Sequence, residues 1–107
     1  MEITVEEVKR RRDAGEQMAL VDVREPFEFE AAHLEGAELI PMNTIADHLA
    51  EVRRKAEAAP VVVLCHHGVR SLRVVEWLRR QGVENCWSME GGIDLWSLLV
   101  DPRVPRY

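Results

Sequence analysis

Apolar residues in this chain fall into short unbroken runs, separated by longer stretches in which they recur with helical spacing. That is the pattern of strands alternating with helices. The clearest run, Val61-Val62-Val63-Leu64, reads as a buried strand. Met18 to Val23 (M-A-L-V-D-V) reads as a second, Ala37 to Ile40, stopped by Pro41, as a third, and Asn85 to Met89 as a fourth. Helices are predicted between them. Thr4 and Glu7 have capping-box spacing, so a helix is expected from Val5 to about Ala14, with Gly15 closing it. Pro26 opens a short helix over Phe27 to Ala32, and Thr44 to Ala58 is helical up to Pro60. Ser71 to Gln81 places Val74, Val75 and Leu78 on one face and ends at Gly82. Ile93 to Leu99 forms a last helical turn or two, and the Pro-containing tail D-P-R-V-P-R-Y is expected to run extended over the surface.

Strands alternating with helices predict an α/β domain with a small, mainly parallel central sheet flanked by helices. In such sheets ligands bind beyond the carboxyl ends of the strands. Asp22 and Arg24 stand at one such end and Cys65 at another. With 107 residues the chain is expected to form one domain over residues 1–107. The net charge of −5 gives no general attraction to nucleic acid or an anionic membrane. No apolar run is long enough for a membrane span, and the acidic N-terminal stretch lacks a signal-peptide core, so a cytoplasmic location is expected. The 2 cysteines, Cys65 and Cys86, are too few for a disulfide framework.

The segment Cys65-His66-His67-Gly68-Val69-Arg70-Ser71 follows a strand and precedes a helix, which leaves room only for a tight turn. Gly68 permits the backbone conformations such a turn needs. Successive N–H groups can then converge as an anion-binding nest, to which the helix adds its positive N-terminal end. Arg70 adds a permanent charge, Arg73 lies one turn along, and no acidic residue occurs from Cys65 to Val75. Such surroundings favour the thiolate, the reactive form of cysteine. A nucleophile and an anion cradle in one loop point to attack on an anionic group through a covalent intermediate. Side chains as close in sequence as His66 and His67 rarely converge on one ion, and no C-x-x-C pair accompanies them. No metal site is expected, and both histidines are expected to shape the pocket mouth.

These residues resemble the rhodanese family, specifically its single-domain sulfurtransferases. The cysteine loop resembles the family's active-site loop. Leu20 to Pro41 (L-V-D-V-R-E-P-F-E-F-E-A-A-H-L-E-G-A-E-L-I-P) resembles its N-terminal signature, with Asp22, Arg24, Glu28, His33, Gly36, Ala37 and Pro41 in register. Gly91-Gly92-Ile93-Asp94-Leu95-Trp96 resembles its C-terminal signature. Ala32 stands where the family usually has glycine. The resemblance implies a rhodanese-like sheet of about five strands. It also implies a two-step transfer: Cys65 takes the outer sulfur of thiosulfate or a similar donor as a persulfide, then passes it to cyanide or a thiol. By the same resemblance His66, His67, Gly68, Val69, Arg70 and Ser71 form the substrate loop, Arg70 orients the donor, Arg24 pairs with Glu28, and Asp22 braces the loop. No cofactor is implied. A partner protein serving as sulfur donor or acceptor is the relay form of the same chemistry.

Two other readings stand beside this one. A cysteine phosphatase or arsenate reductase needs five residues between cysteine and arginine, but here Ser71 occupies the arginine's place and Arg70 comes one residue early. A docking module without chemistry would have no use for an intact cysteine loop. Cys86 is expected to pair near Val62, about 10 Å along the sheet from Cys65 at the usual strand rise. That is beyond disulfide reach and leaves Cys86 as a buried structural thiol. Trp77, Trp87 and Trp96 are expected in packing roles, His33 and His48 as structural histidines, and Arg53-Arg54-Lys55 on a solvated helix face.

Overall fold

Why a cysteine at the end of Val61-Val62-Val63-Leu64 should matter becomes clear from where that strand lies. In a computed structural model of residues 1–107, the chain folds as β1 (Glu2–Ile3), α1 (Val5–Asp13), β2 (Ala19–Asp22), α2 (Pro26–Ala31), β3 (Glu38–Leu39), a 3₁₀ segment (Met42–His48), α3 (Leu49–Ala58), β4 (Val61–Leu64), α4 (Val69–Arg80), β5 (Cys86–Met89) and α5 (Gly92–Leu99). The 5 strands form one sheet in the order β1-β5-β4-β2-β3, with every pairing parallel. β4 occupies the centre, and all of its residues are buried. Its alternate side chains feed two cores. Val61 and Val63 pack with Val52, Val74, Val75 and Leu78 from α3 and α4. Val62 and Leu64 pack with Val5, Val8, Ile93 and Trp96 from α1 and α5. No helix is long and apolar enough to cross a membrane.

The predicted α/β class is the one observed, and the differences are local. β1 was not foreseen; it is two residues long and is held to β5 by Ser88 N–H donating to Met1 O and Glu90 N–H donating to Ile3 O. The Thr4 hydroxyl accepts from Glu7 N–H as the capping box requires, but the Glu7 carboxylate turns instead to Arg10 and Arg11. The helix expected over Thr44 to Ala58 begins as a 3₁₀ segment, because Thr44 turns both its N–H and its hydroxyl onto Pro41 O. Cys86 pairs with Val61, one residue from the expected register. The tail, expected to lie extended over the surface, folds back to the carboxyl ends of the strands through Tyr107.

Candidate active site

The chain leaves the buried strand β4 at Leu64 and enters α4 at Val69, two residues earlier than the predicted start at Ser71. Gly68 makes this turn in the left-handed region, at φ 97°, where a side chain would be strained. The turn brings two main-chain donors to Cys65: Gly68 N–H reaches Sγ at 3.1 Å and Ser71 N–H at 3.3 Å. The Cys65 thiol donates to Ser71 Oγ at 3.4 Å, and Ser71 Oγ lies 2.7 Å from Ser88 Oγ. Both serines are fully buried. Ser88 was not singled out in the sequence; the signal for it was its place on the strand beside β4, directly opposite Val63.

The loop's carbonyls are fixed from the other side. Ile93 N–H and Asp94 N–H, at the start of α5, donate to Cys65 O at 2.9 Å and His66 O at 3.1 Å. This docking requires the glycine pair before α5. Gly92 adopts φ 61°, and a Cβ there would stand 2.5 Å from both of those carbonyl oxygens. The glycines of the third sequence match therefore let α5 seat against the cysteine loop, and the buried Trp96 anchors the helix.

The pairing expected between Arg24 and Glu28 does not form, and each takes another partner. Arg24 does not pair with the Glu28 carboxylate. Its Nε and Nη2 donate to the two Asp22 carboxylate oxygens at 2.9 and 2.7 Å, and it reaches only the main-chain carbonyl of Glu28. Asp22 accordingly braces Arg24 and not the loop: its carboxylate accepts hydrogen bonds from Arg24 alone. Arg24 is 0% exposed, with further bonds to Ala32 O and the Tyr107 hydroxyl. Burial works against its charge, but the hydrogen bonds to Asp22 and Tyr107 outweigh it and raise its pKa.

Glu28 belongs to Arg70. The guanidinium forks onto the carboxylate at 2.6 and 2.9 Å, while Tyr107 Oη donates to Oε2 at 2.8 Å and Glu25 N–H to Oε1 at 3.0 Å. The Arg70 bonds hold the Glu28 carboxyl down at about 2, and the same pairing raises Arg70. Arg73 lies apart from this group, lining a groove of about 280 Å³ with Met42, Ile45, Val74 and Trp77.

His66 sits in a stack, its ring 3.8 Å from that of His67 and 3.9 Å from that of Tyr107. Its Nε2 is buried without a hydrogen-bond partner, and burial lowers its pKa. The expectation that the two histidines would not converge is corrected here. One ligand atom from each of His66, His67 and Asp94 lies within 4.8 Å of the others, so this trio could hold a metal ion. Asp94 is already engaged by Arg106 at 2.9 Å. His33 and His48 each bond a helix carbonyl four residues back, Phe29 O and Thr44 O. Cys86 is buried against Val83 O, and burial raises its pKa; neither cysteine is in a disulfide.

A central parallel strand ending in a cysteine cupped by main-chain donors defines the class of fold, and its family follows from the whole chain. The family model for the rhodanese-like domain matches residues 4–99, and the chain belongs to that family. It is 37% identical over 93 residues to the Arabidopsis thaliana chloroplastic rhodanese-like/PpiC domain-containing protein 12, covering 86% of this chain and 31% of that one. It is 34% identical over 94 residues to the Pseudomonas aeruginosa thiosulfate sulfurtransferase GlpE, covering 88% of this chain and 81% of that one. A crystal structure of a Staphylococcus saprophyticus protein superposes with a TM-score of 0.81 at 34% identity, over 99% of this chain and 100% of that one. The chain spans between 23% and 31% of the length of the first curated relatives it matches.

Proposed function

We propose that this chain is a sulfurtransferase that carries sulfane sulfur on Cys65. The observation that carries the reading is the pair of N–H groups, from Gly68 and Ser71, aimed at Sγ from a turn that also starts a helix. Two amide dipoles and a helix N-terminus stabilise negative charge on sulfur both before attack and after a second sulfur is attached. The Ser71 hydroxyl, backed by Ser88, can reverse its hydrogen bond to donate to a thiolate. The similarity to GlpE supports thiosulfate, or a donor like it, as the small anionic substrate.

In the first step the Cys65 thiolate attacks the outer sulfur of thiosulfate. A new S–S bond forms, the donor's own S–S bond breaks, and sulfite leaves with the bonding electron pair. In the second step cyanide or an acceptor thiolate attacks the terminal sulfur, and the Cys65 thiolate departs unchanged. No proton has to move in either transfer, so no general base is needed. Arg70 keeps N–H groups beyond the two used on Glu28 and supplies the cation that orients the donor. Asp22 and Arg24 hold the floor of the site. In a longer protein a partner domain delivering or removing sulfur would use the same two steps.

The test is to incubate the purified chain with thiosulfate and weigh the peptide bearing Cys65. Gain of one sulfur atom, lost again as thiocyanate on adding cyanide and absent from Cys65→Ser, is expected. An unmodified peptide together with release of phosphate from an aryl phosphate would replace this reading with the phosphatase one.

A further inference from the structure

The tail first packs Val104 against the core under α1 and α5, and its last two residues, Arg106 and Tyr107, then reach the site. After α5 the chain turns through Val104 N–H donating to Asp101 O, and Arg106 then meets Asp94 at 2.9 Å. Tyr107 lies with its ring parallel to His66, at 7° between planes, and accepts from Arg24 Nη1 at 2.7 Å while donating to Glu28 at 2.8 Å. One phenol therefore touches the residue next to Cys65, the partner of Arg70 and the partner of Asp22. Cys65 is 1% exposed, and none of the surface cavities is lined by it. Tyr107 itself is 44% exposed. The sulfur is enclosed, and the half-exposed Tyr107 ring lies against its sequence neighbour His66, fastened by one stack and two hydrogen bonds.

Resting on the sulfurtransferase reading, we propose that Tyr107 is a specificity-determining residue of the Cys65 site: its ring, held on His66, roofs the loop and restricts it to small donors. The clamp explains why the phenol is shared between Arg24 and Glu28. Two charged partners, one donating and one accepting, fix the hydroxyl, and the stack fixes the plane of the ring. A donor as small as thiosulfate needs only a small displacement of that ring, whereas one carrying an aromatic group needs the ring's own space.

Two ratios test the proposal in the full chain. One is the rate of Cys65 alkylation by N-phenylmaleimide relative to iodoacetamide, followed by the mass of the Cys65 peptide. The other is kcat/KM for benzenethiosulfonate relative to thiosulfate. Tyr107→Ala is expected to raise both ratios by about tenfold, and Tyr107→Phe, which keeps the ring and its stack on His66 but loses both hydrogen bonds, to raise them by less, about threefold. The far-ultraviolet dichroism of both variants should match the parent. A well-folded Tyr107→Ala chain with unchanged ratios, or one in which bulky and small reagents change in proportion, overturns the roof. If neither donor loads sulfur onto any variant, the sulfurtransferase reading fails, and the alkylation ratio still decides the role of Tyr107.

Discussion

Arg24 holds its charge where solvent does not reach, and it can do so because every face of its guanidinium is met. Asp22 takes two of its nitrogens, Ala32 O a third contact, and Tyr107 the remaining edge. A buried pair of this kind adds little over a well-packed apolar pair, but breaking it leaves one charge stranded. Asp22→Asn is therefore expected to lower unfolding free energy by about 3–5 kcal/mol in urea titrations. Arg70 is the contrasting case. It is partly exposed, and its partner Glu28 keeps the Glu25 N–H and Tyr107 hydroxyl when the guanidinium is gone. Arg70→Ala is expected to cost about 1–2 kcal/mol of stability while cutting kcat/KM for thiosulfate by roughly a hundredfold. A loss of stability with kcat/KM retained would limit Arg70 to holding Glu28.

At the scale of elements, the cysteine loop is gripped between two helix starts, with α4 directing N–H groups inward and α5 binding the outward carbonyls. Gly92 lies at the contact, and Gly92→Ala would force a Cβ into Cys65 O and His66 O. With the strain of a positive φ added, the expected cost is about 2–4 kcal/mol by urea unfolding, together with slower alkylation of Cys65 as Sγ loses its amides. Much of this grip was legible in the sequence. The run Val61 to Leu64 ends at Cys65, Gly68 marks the turn, and strands separated by helical periods imply a parallel sheet. The glycine pair was readable as a signature, but its function depends on how closely α5 approaches, which no spacing reveals. The Arg24–Glu28 pair implied by the resemblance does not form, because Arg24 precedes the helix; residues two apart on an extended strand end share a side, which favours Asp22. β1 and Tyr107 left no periodic trace. One is two residues long, and the other is a single side chain brought home by long-range bonds.

Across the whole molecule, Glu28 is the junction where α2, α4 and the tail meet. The carboxylate accepts from Arg70 and Tyr107 and closes the cap of its own helix through Glu25 N–H. All three donors favour the ionised form, and the carboxyl is lowered from its ordinary 4.5 to about 2. A group whose pKa falls on folding stabilises the fold fully above its unfolded value. That contribution fades as the pH drops from about 4.5 through about 2. Asp94 and Asp101 are also lowered, by Arg106 and Arg103, but those arginines are exposed to solvent, and pairs of that kind contribute little. Glu28→Gln separates the two effects, since the amide keeps an oxygen for Arg70 but carries no charge. Unfolding free energies of parent and variant, measured side by side in urea, should differ by a constant amount above pH 4.5 and converge between there and about pH 2. A gap that stays constant over that window would mean that the charge on Glu28 does not bind the three segments together.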